Sequence, residues 1–128
     1  MTKPMMEFAE EWIAAWNSHD LDRILSHYAA DVVFTSPRAA ARLPHTRGTV
    51  RGIEQLREYW APLAEVRPHL KFTLEGVLET VGGCTILYRD ETGLLVAETM
   101  LIEAGGKVVQ GIVSHAAHPF TIRKDKPC

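Results

Sequence analysis

The chain has 128 residues, 46% of them apolar and 23% charged, the composition of an ordinary soluble globular domain with enough chain for one core without disulfides or structural metal. Fourteen Lys and Arg stand against sixteen Asp and Glu, a formal net charge of -2, so no whole-molecule field attracts a polyanion and nucleic acid is not an expected partner. The two cysteines, Cys84 in an apolar run and Cys128 at the end, form no CxxC or zinc-type spacing, so the expectation is free thiols in a reducing compartment, with no metal and no cofactor.

The N-terminal stretch carries Glu7, Glu10 and Glu11 where a signal peptide needs an apolar run, and residues 94–113, the most apolar region, are broken by Glu98, Glu103 and Lys107. The expectation is a cytoplasmic protein with no membrane segment. Met5, Phe8, Ala9, Trp12, Ile13 and Trp16 follow the helical i, i+3, i+4 rule and predict a first helix that ends at Asn17-Ser18-His19. Asp20 suits an N-cap, and Leu21, Ile24, Leu25 and Tyr28 predict a second, short helix. Residues 32–36, β-branched and aromatic up to Pro37, predict the first strand.

Residues 37–51 lack periodicity and contain Arg38, Arg42, His45, Arg47 and Arg51 with no acid, which predicts a basic loop. After Gly52, the residues Ile53, Leu56, Tyr59, Trp60 and Leu63 predict a third helix that stops before Pro68. Leu70, Phe72 and Leu74 then alternate, and a slip near Glu75-Gly76 predicts a bulge in a long strand. Gly82-Gly83 reads as a hairpin turn, residues 84–89 as a strand, 90–93 as a four-residue turn, 94–103 as a strand, Gly105-Gly106 as a tight turn and 107–116 as the last strand. The fold class is therefore α+β, three N-terminal helices packed on an antiparallel meander. A single domain spans residues 1–117, with a polar tail, 118–128, expected to trail over the surface.

The last hairpin yields a register. With Gly105-Gly106 as its turn, Glu98 pairs with Val113, so Glu98, Met100 and Ile102 share a face with Gly111, Val113 and His115. An acid and a histidine then lie diagonally among apolar side chains. The opposite face, read as carrying Val109, Ile112, Leu95, Leu101 and Ile86, is apolar as well, and the expected cover is a second copy of the chain, a homodimer through the outer sheet face.

The run from Trp12 to Ile24 (WIAAWNSHDLDRI), that from Tyr28 to Phe34 (YAADVVF) and that from Gly52 to Trp60 (GIEQLREYW) resemble the SnoaL-like group of the nuclear-transport-factor-2-like superfamily, over roughly residues 5–117. That resemblance implies a cone, a strongly curved sheet with helices in its concave face and a pocket at the open end. Members of the superfamily include ketosteroid isomerases, polyketide cyclases, epoxide hydrolases, dehydratases and proteins that only bind partners, and fold alone does not choose among them. The resemblance also implies that Glu98 occupies a position whose acid projects into the pocket and that His115 lines the same pocket.

Two other isomerase positions differ: the helix-one tyrosine is matched by Trp12 and the general-base aspartate by Ser36, so ketosteroid isomerase activity is not expected. The Asp-Arg-Asp set of the epoxide hydrolases is missing too. The SnoaL-type cyclases, as the resemblance implies, close a ring by an intramolecular aldol reaction without a cofactor, and Glu98 with His115 supplies that acid-base inventory, with Asn17, Ser36 and Tyr59 as orienting hydrogen-bond donors. Trp12, Trp16, Tyr28, Phe34, Tyr59 and Trp60 read as pocket wall for a small hydrophobic molecule, with Ser36, Met100 and Val113 beside them, or as plain core. Glu98 and His115 read as a catalytic pair or as a structural one. The basic segment reads as a gate for a carboxylate- or phosphate-bearing ligand or, more commonly for such segments, as a solvated loop. The facing of Tyr88 is left open by the turn at Asp90.

Overall fold

The computed structural model describes residues 2–119 and 122, with side chains from residue 4 onward. Helix α1 (Thr2–Ser18) exists because its stripe Ala9, Trp12, Ile13, Ala15 and Trp16 is buried; each large side chain so removed from water contributes roughly 1.5–3 kcal/mol relative to exposure. It ends where His19 takes a left-handed φ of 61°. Asp20 then caps α2 (Leu21–Leu25), its carboxylate accepting from the Arg23 amide at 3.2 Å, as the sequence predicted.

Strand β1 (Tyr28–Thr35) begins four residues before the predicted start. Tyr28 belongs to the strand, not to the second helix, because a bulge between Tyr28 and Val33 lets both ends of β1 pair with the last strand. The predicted loop 37–51 is also corrected. It holds α3 (Pro37–Arg42), a 3-10 turn (Pro44–Thr46) and β2 (Thr49–Arg51). A six-residue helix has under two turns and shows no usable period; what starts it is local chemistry, Pro37 in the first turn and the Ser36 hydroxyl accepting from the Arg38 amide. The predicted third helix is two helices, α4 (Ile53–Trp60) and α5 (Leu63–Val66), parted at Pro62.

The remaining strands are β3 (Thr73–Thr80), β4 (Gly83–Arg89), β5 (Leu95–Ile102) and β6 (Val108–His115). The sheet order is β2-β1-β6-β5-β4-β3. β3 to β6 form the predicted antiparallel meander, but β1 joins β6 in parallel, so the sheet is mixed. Thr80 pairs with Gly83; the turn is therefore Val81-Gly82, and Gly83 stands inside the ladder, where a Cβ would run into the Met100 carbonyl. The predicted bulge lies between Leu74 and Gly76. The last hairpin keeps its predicted register from Val96↔His115 to Leu101↔Gln110 and slips by one at Ile102↔Val108.

The curved sheet wraps the helices, α1 lying against β3 and β4 and α4 against β1 and β2. Of the residues assigned to the outer face, Ile86 is fully buried on the inner face, level with Glu98, because Arg89 pairs with Leu95 and the loop after β4 has one residue more than predicted. Leu95 is buried as well. Leu101 and Ile112 are exposed, 37% and 41%. Most of the tail 118–128 lies outside the described residues. Among the described residues no helix is long and apolar enough to cross a membrane.

Candidate active site

Between the helices and the concave sheet face opens a cavity of about 430 Å³, within the usual range for small-molecule sites. Its wall is aromatic: Trp16 from α1, Phe34 from β1, Tyr59 and Trp60 from α4, Phe72 before β3, and Tyr88 from β4. Trp60 meets Trp16 edge-on at 4.8 Å and Phe34 at 5.1 Å, and Phe72 stacks on Tyr88 at 4.2 Å, geometries that fix ring orientation beyond simple burial. Phe34 can lie on β6 because position 111 is glycine; a Cβ there would meet its ring at 3.3 Å.

Glu98 and His115 both line this cavity, together with Ser36 and Val113. Glu98 is 3% exposed, and burial pushes its carboxyl up to about 8, the Tyr88 hydroxyl pulling the other way. That hydroxyl donates to Glu98 Oε1 at 3.2 Å, while Oε2 is buried with no hydrogen-bond partner. A buried carboxyl with one orphaned oxygen is protonated near neutral pH and can donate from it. His115 is shifted downward, first by burial and then by the nearby charge of Arg38, with Asp90 opposing. It is therefore a neutral imidazole near pH 7. Glu98 pairs across the ladder with Val113 and His115 with Val96, so the two are diagonal neighbours, roughly 7–8 Å apart at Cα. Among the described residues they share no hydrogen bond.

The other predicted residues divide by depth. Trp16, Phe34, Ser36, Tyr59, Trp60 and Val113 line the cavity, whereas Trp12, Tyr28 and Met100 are packed beneath it. Trp12 Nε1 donates to the Tyr28 hydroxyl at 3.0 Å, which uses the polar atoms of both rings and closes the floor. Burial, and then the proximity of Glu98, raise the Tyr28 hydroxyl well above the usual phenol value. Asn17 is no orienting donor in the site: its side chain ties α1 to the Phe72 backbone at 2.9 and 2.7 Å. Ser36 is chiefly the cap of α3.

Phe72 and Arg67 were not singled out from the sequence as site residues, and Tyr88, a candidate for dehydratase-type chemistry, had its facing left open. The facing of Tyr88 follows from the loop after β4. Arg89 pairs with Leu95, so the loop has five residues rather than four, and a one-residue change reverses every side chain of the strand. Asp90 builds that loop, its Oδ1 accepting from the Thr92 amide at 2.8 Å, the Thr92 hydroxyl at 2.6 Å and the Leu94 amide at 3.1 Å. An Asp followed two residues later by Thr and then Gly is the Asx-turn signal that could have revealed it. Asp90 Oδ2 also holds Arg38 at 3.1 Å, and Arg67 grips Glu91 with two bonds of 2.9 and 2.8 Å. Among the described residues no three His, Cys, Asp or Glu are grouped to hold a metal ion.

The family model for the SnoaL-like domain matches residues 9–126. A SnoaL-like protein of unknown function from Burkholderia thailandensis is 35% identical, with 88% of this chain and 94% of that one covered and a TM-score of 0.84. TerC, co-crystallized with polyporic acid, shares the fold at 17% identity, covering 89% and 92% of the two chains, with a TM-score of 0.72. So does a candidate polyketide cyclase from Sinorhizobium meliloti, at 9% identity, 89% and 99% coverage and a TM-score of 0.70. No curated protein matches the chain. The curved mixed sheet, the helices in its concave face and the match over nearly the whole length agree, and the chain belongs to the SnoaL-like family.

Proposed function

We propose that the protein is a cofactor-independent acid-base catalyst acting on a small, largely apolar carbonyl compound, with Glu98 as general acid and His115 as general base. The observation that carries this reading is the buried Glu98 carboxyl, held on one oxygen by Tyr88 and orphaned on the other, in the wall of a cavity that His115 also lines. Their opposed shifts leave the acid protonated and the base neutral at the same pH, the arrangement proton transfer requires. Relatives of the same fold, one co-crystallized with polyporic acid and one a candidate polyketide cyclase, are in keeping with a small organic ligand.

In the proposed step His115 takes a proton from the carbon next to the carbonyl, the C–H electron pair becomes the C=C bond, and Glu98 passes its proton to the carbonyl oxygen. An enol, an imidazolium and a carboxylate result. When the enol carbon bonds to a second carbonyl, the imidazolium protonates the new alkoxide and the enol O–H returns its proton to Glu98. Where a C=C bond is conjugated to the enol, the imidazolium instead protonates the far carbon of the dienol, the enol O–H returns its proton to Glu98 as the carbonyl re-forms, and the outcome is isomerisation. Tyr88 is a positioning residue that orients Glu98.

Exchange of the α-protons of 2-tetralone in D2O, followed by proton NMR, tests the assignment. The expected result is acceleration over buffer that falls by about 10²–10⁴ in Glu98→Gln and in His115→Ala. Undiminished exchange in both variants overturns it; binding of 2-tetralone without acceleration favours the second reading, a non-catalytic small-ligand binder built on the same cavity. The rate is expected to fall as pH rises through about 8, where Glu98 loses its proton, and to fall again below the depressed value of His115.

The proposal includes a pair of chains joined through the outer sheet face. The exposed Leu101 and Ile112, beside Thr85 and Thr99, whose hydroxyls bond each other at 2.8 Å, support it.

A further inference from the structure

The segment that reads as a basic loop in the sequence places two of its arginines, Arg38 and Arg42, in the wall of the cavity, where Arg67 from the turn after α5 joins them. Three guanidiniums meet two carboxylates. Asp90 holds Arg38 at 3.1 Å and has Arg67 at 3.8 Å. Glu91 takes two of the Arg67 donors. Asp90 Oδ1 is taken by three hydrogen bonds from Thr92 and Leu94, so only Oδ2 faces the arginines.

Arg42 is left over. Among the described residues it has no carboxylate partner, and its guanidinium lies over the Tyr59 ring at 4.8 Å. That contact orients the planar fork and leaves its N–H donors unused by the described residues. The rim therefore carries one surplus positive charge, fixed on one side by the Asp90 cluster and on the other by Tyr59. The buried Glu98 adds no compensating negative charge near neutral pH.

We infer that the ligand of this cavity carries a carboxylate, which Arg42 and Arg38 hold at the rim while the apolar body lies against the aromatic wall toward Glu98. The inference rests on the cavity being the ligand site, as proposed above, and it narrows the substrate class to apolar, ring-bearing carboxylic acids. One surplus charge suits a monoanion, and a planar fork suits a planar carboxylate. A phosphate monoester carries close to two charges at neutral pH and would outrun the rim.

Isothermal titration with 2-naphthoate and 2-naphthamide, which differ by one charge at nearly equal shape, tests this at pH 7 and low salt. The expected result is about tenfold tighter binding of the naphthoate, and Arg42→Gln brings it to the level of the amide without moving the affinity for the amide. Arg42→Lys recovers part of the difference. Equal affinity of the two probes in the wild type, or a loss in Arg42→Gln shared by both, overturns the carboxylate subsite and leaves the cavity intact as a ligand site. Tighter binding of 2-naphthyl phosphate than of 2-naphthoate overturns the choice of carboxylate. Binding of neither probe overturns both this inference and the cavity reading.

Discussion

At the floor of the cavity Trp12, Tyr28 and Met100 are packed without exposed polar atoms, Trp12 giving its only donor to Tyr28, whereas at the rim Arg38, Arg67, Asp90 and Glu91 are joined by ion pairs and Arg42 lies over the Tyr59 ring. Glu98 lies on the floor side and is raised by burial; His115 is lowered first by burial, and the rim then adds Arg38 and Arg67, which lower it further, and Asp90, which raises it. One cavity thus holds a protonated acid and a neutral base because burial disfavours the charged form of each, and only the rim adds charges that act on the base. The difference also shows how one chain with a net charge near zero can present a locally positive mouth.

Breaking the floor has the largest expected effect. Trp12→Ala removes a fully buried ring and leaves the Tyr28 hydroxyl without its partner, at a cost of roughly 3–5 kcal/mol; urea unfolding measures it, and a loss under 1 kcal/mol contradicts a packed floor. Next comes the buried carboxyl. Its native pKa, about 8, lies above its ordinary 4.5, so below 4.5 both folded and unfolded states hold the proton and no penalty exists. As pH rises from 4.5 to 8 the unfolded state releases the proton first, and stability falls by roughly 3–5 kcal/mol over that window. Glu98→Gln should flatten this slope, so that the variant exceeds the wild type in stability at pH 8 relative to pH 4; parallel pH profiles contradict the burial argument.

The rim responds less. Asp90→Ala deletes the acceptor of the five-residue loop and one arm of the Arg38 pair, an expected loss of about 1–3 kcal/mol, and it lowers the His115 pKa further because Asp90 raises it; an NMR titration of the imidazole that does not move downward refutes the coupling. Asp90 itself is pushed up by burial, yet hydrogen bonds from Thr92 and Leu94 and the charge of Arg67 hold it below its ordinary value, so the stability it contributes is lost as pH falls through the acid range. Smallest is the outer face. Ile112→Lys should change unfolding stability at low protein concentration by under about 0.5 kcal/mol while shifting the mass seen by light scattering from two chains to one. An unchanged mass contradicts the proposed pairing.

Much of the site was legible in the last hairpin. Alternation along β5 and β6 put Glu98 and His115 on one face; the turn is one residue longer than the predicted Gly105-Gly106, with Glu103 facing Lys107, and the pairing of Glu98 with Val113 holds because the shift between Ile102↔Val108 and Leu101↔Gln110 offsets it. The aromatic stripes of α1 and α4 were equally plain, though not their depth: Trp12 and Trp16 lie on the same helical face, one under the cavity and one beside it. The basic segment was misjudged as structureless because its helix is held by a serine cap and a proline rather than by a hydrophobic period.

The sequence by itself determined the first helix, the strands of the meander, the inner face of the last two strands and the residue types available for proton transfer, because side-chain period is a local property of the chain. Only the tertiary structure decided what those residues meet. The five-residue Asp90 loop turns Tyr88 inward to hold Glu98, the parallel pairing of β1 with β6 brings α3 and its arginines over the cavity, and burial moves the carboxyl to about 8. Each depends on contacts between residues far apart in the chain, and electrostatic shifts arise from surroundings that no local pattern records.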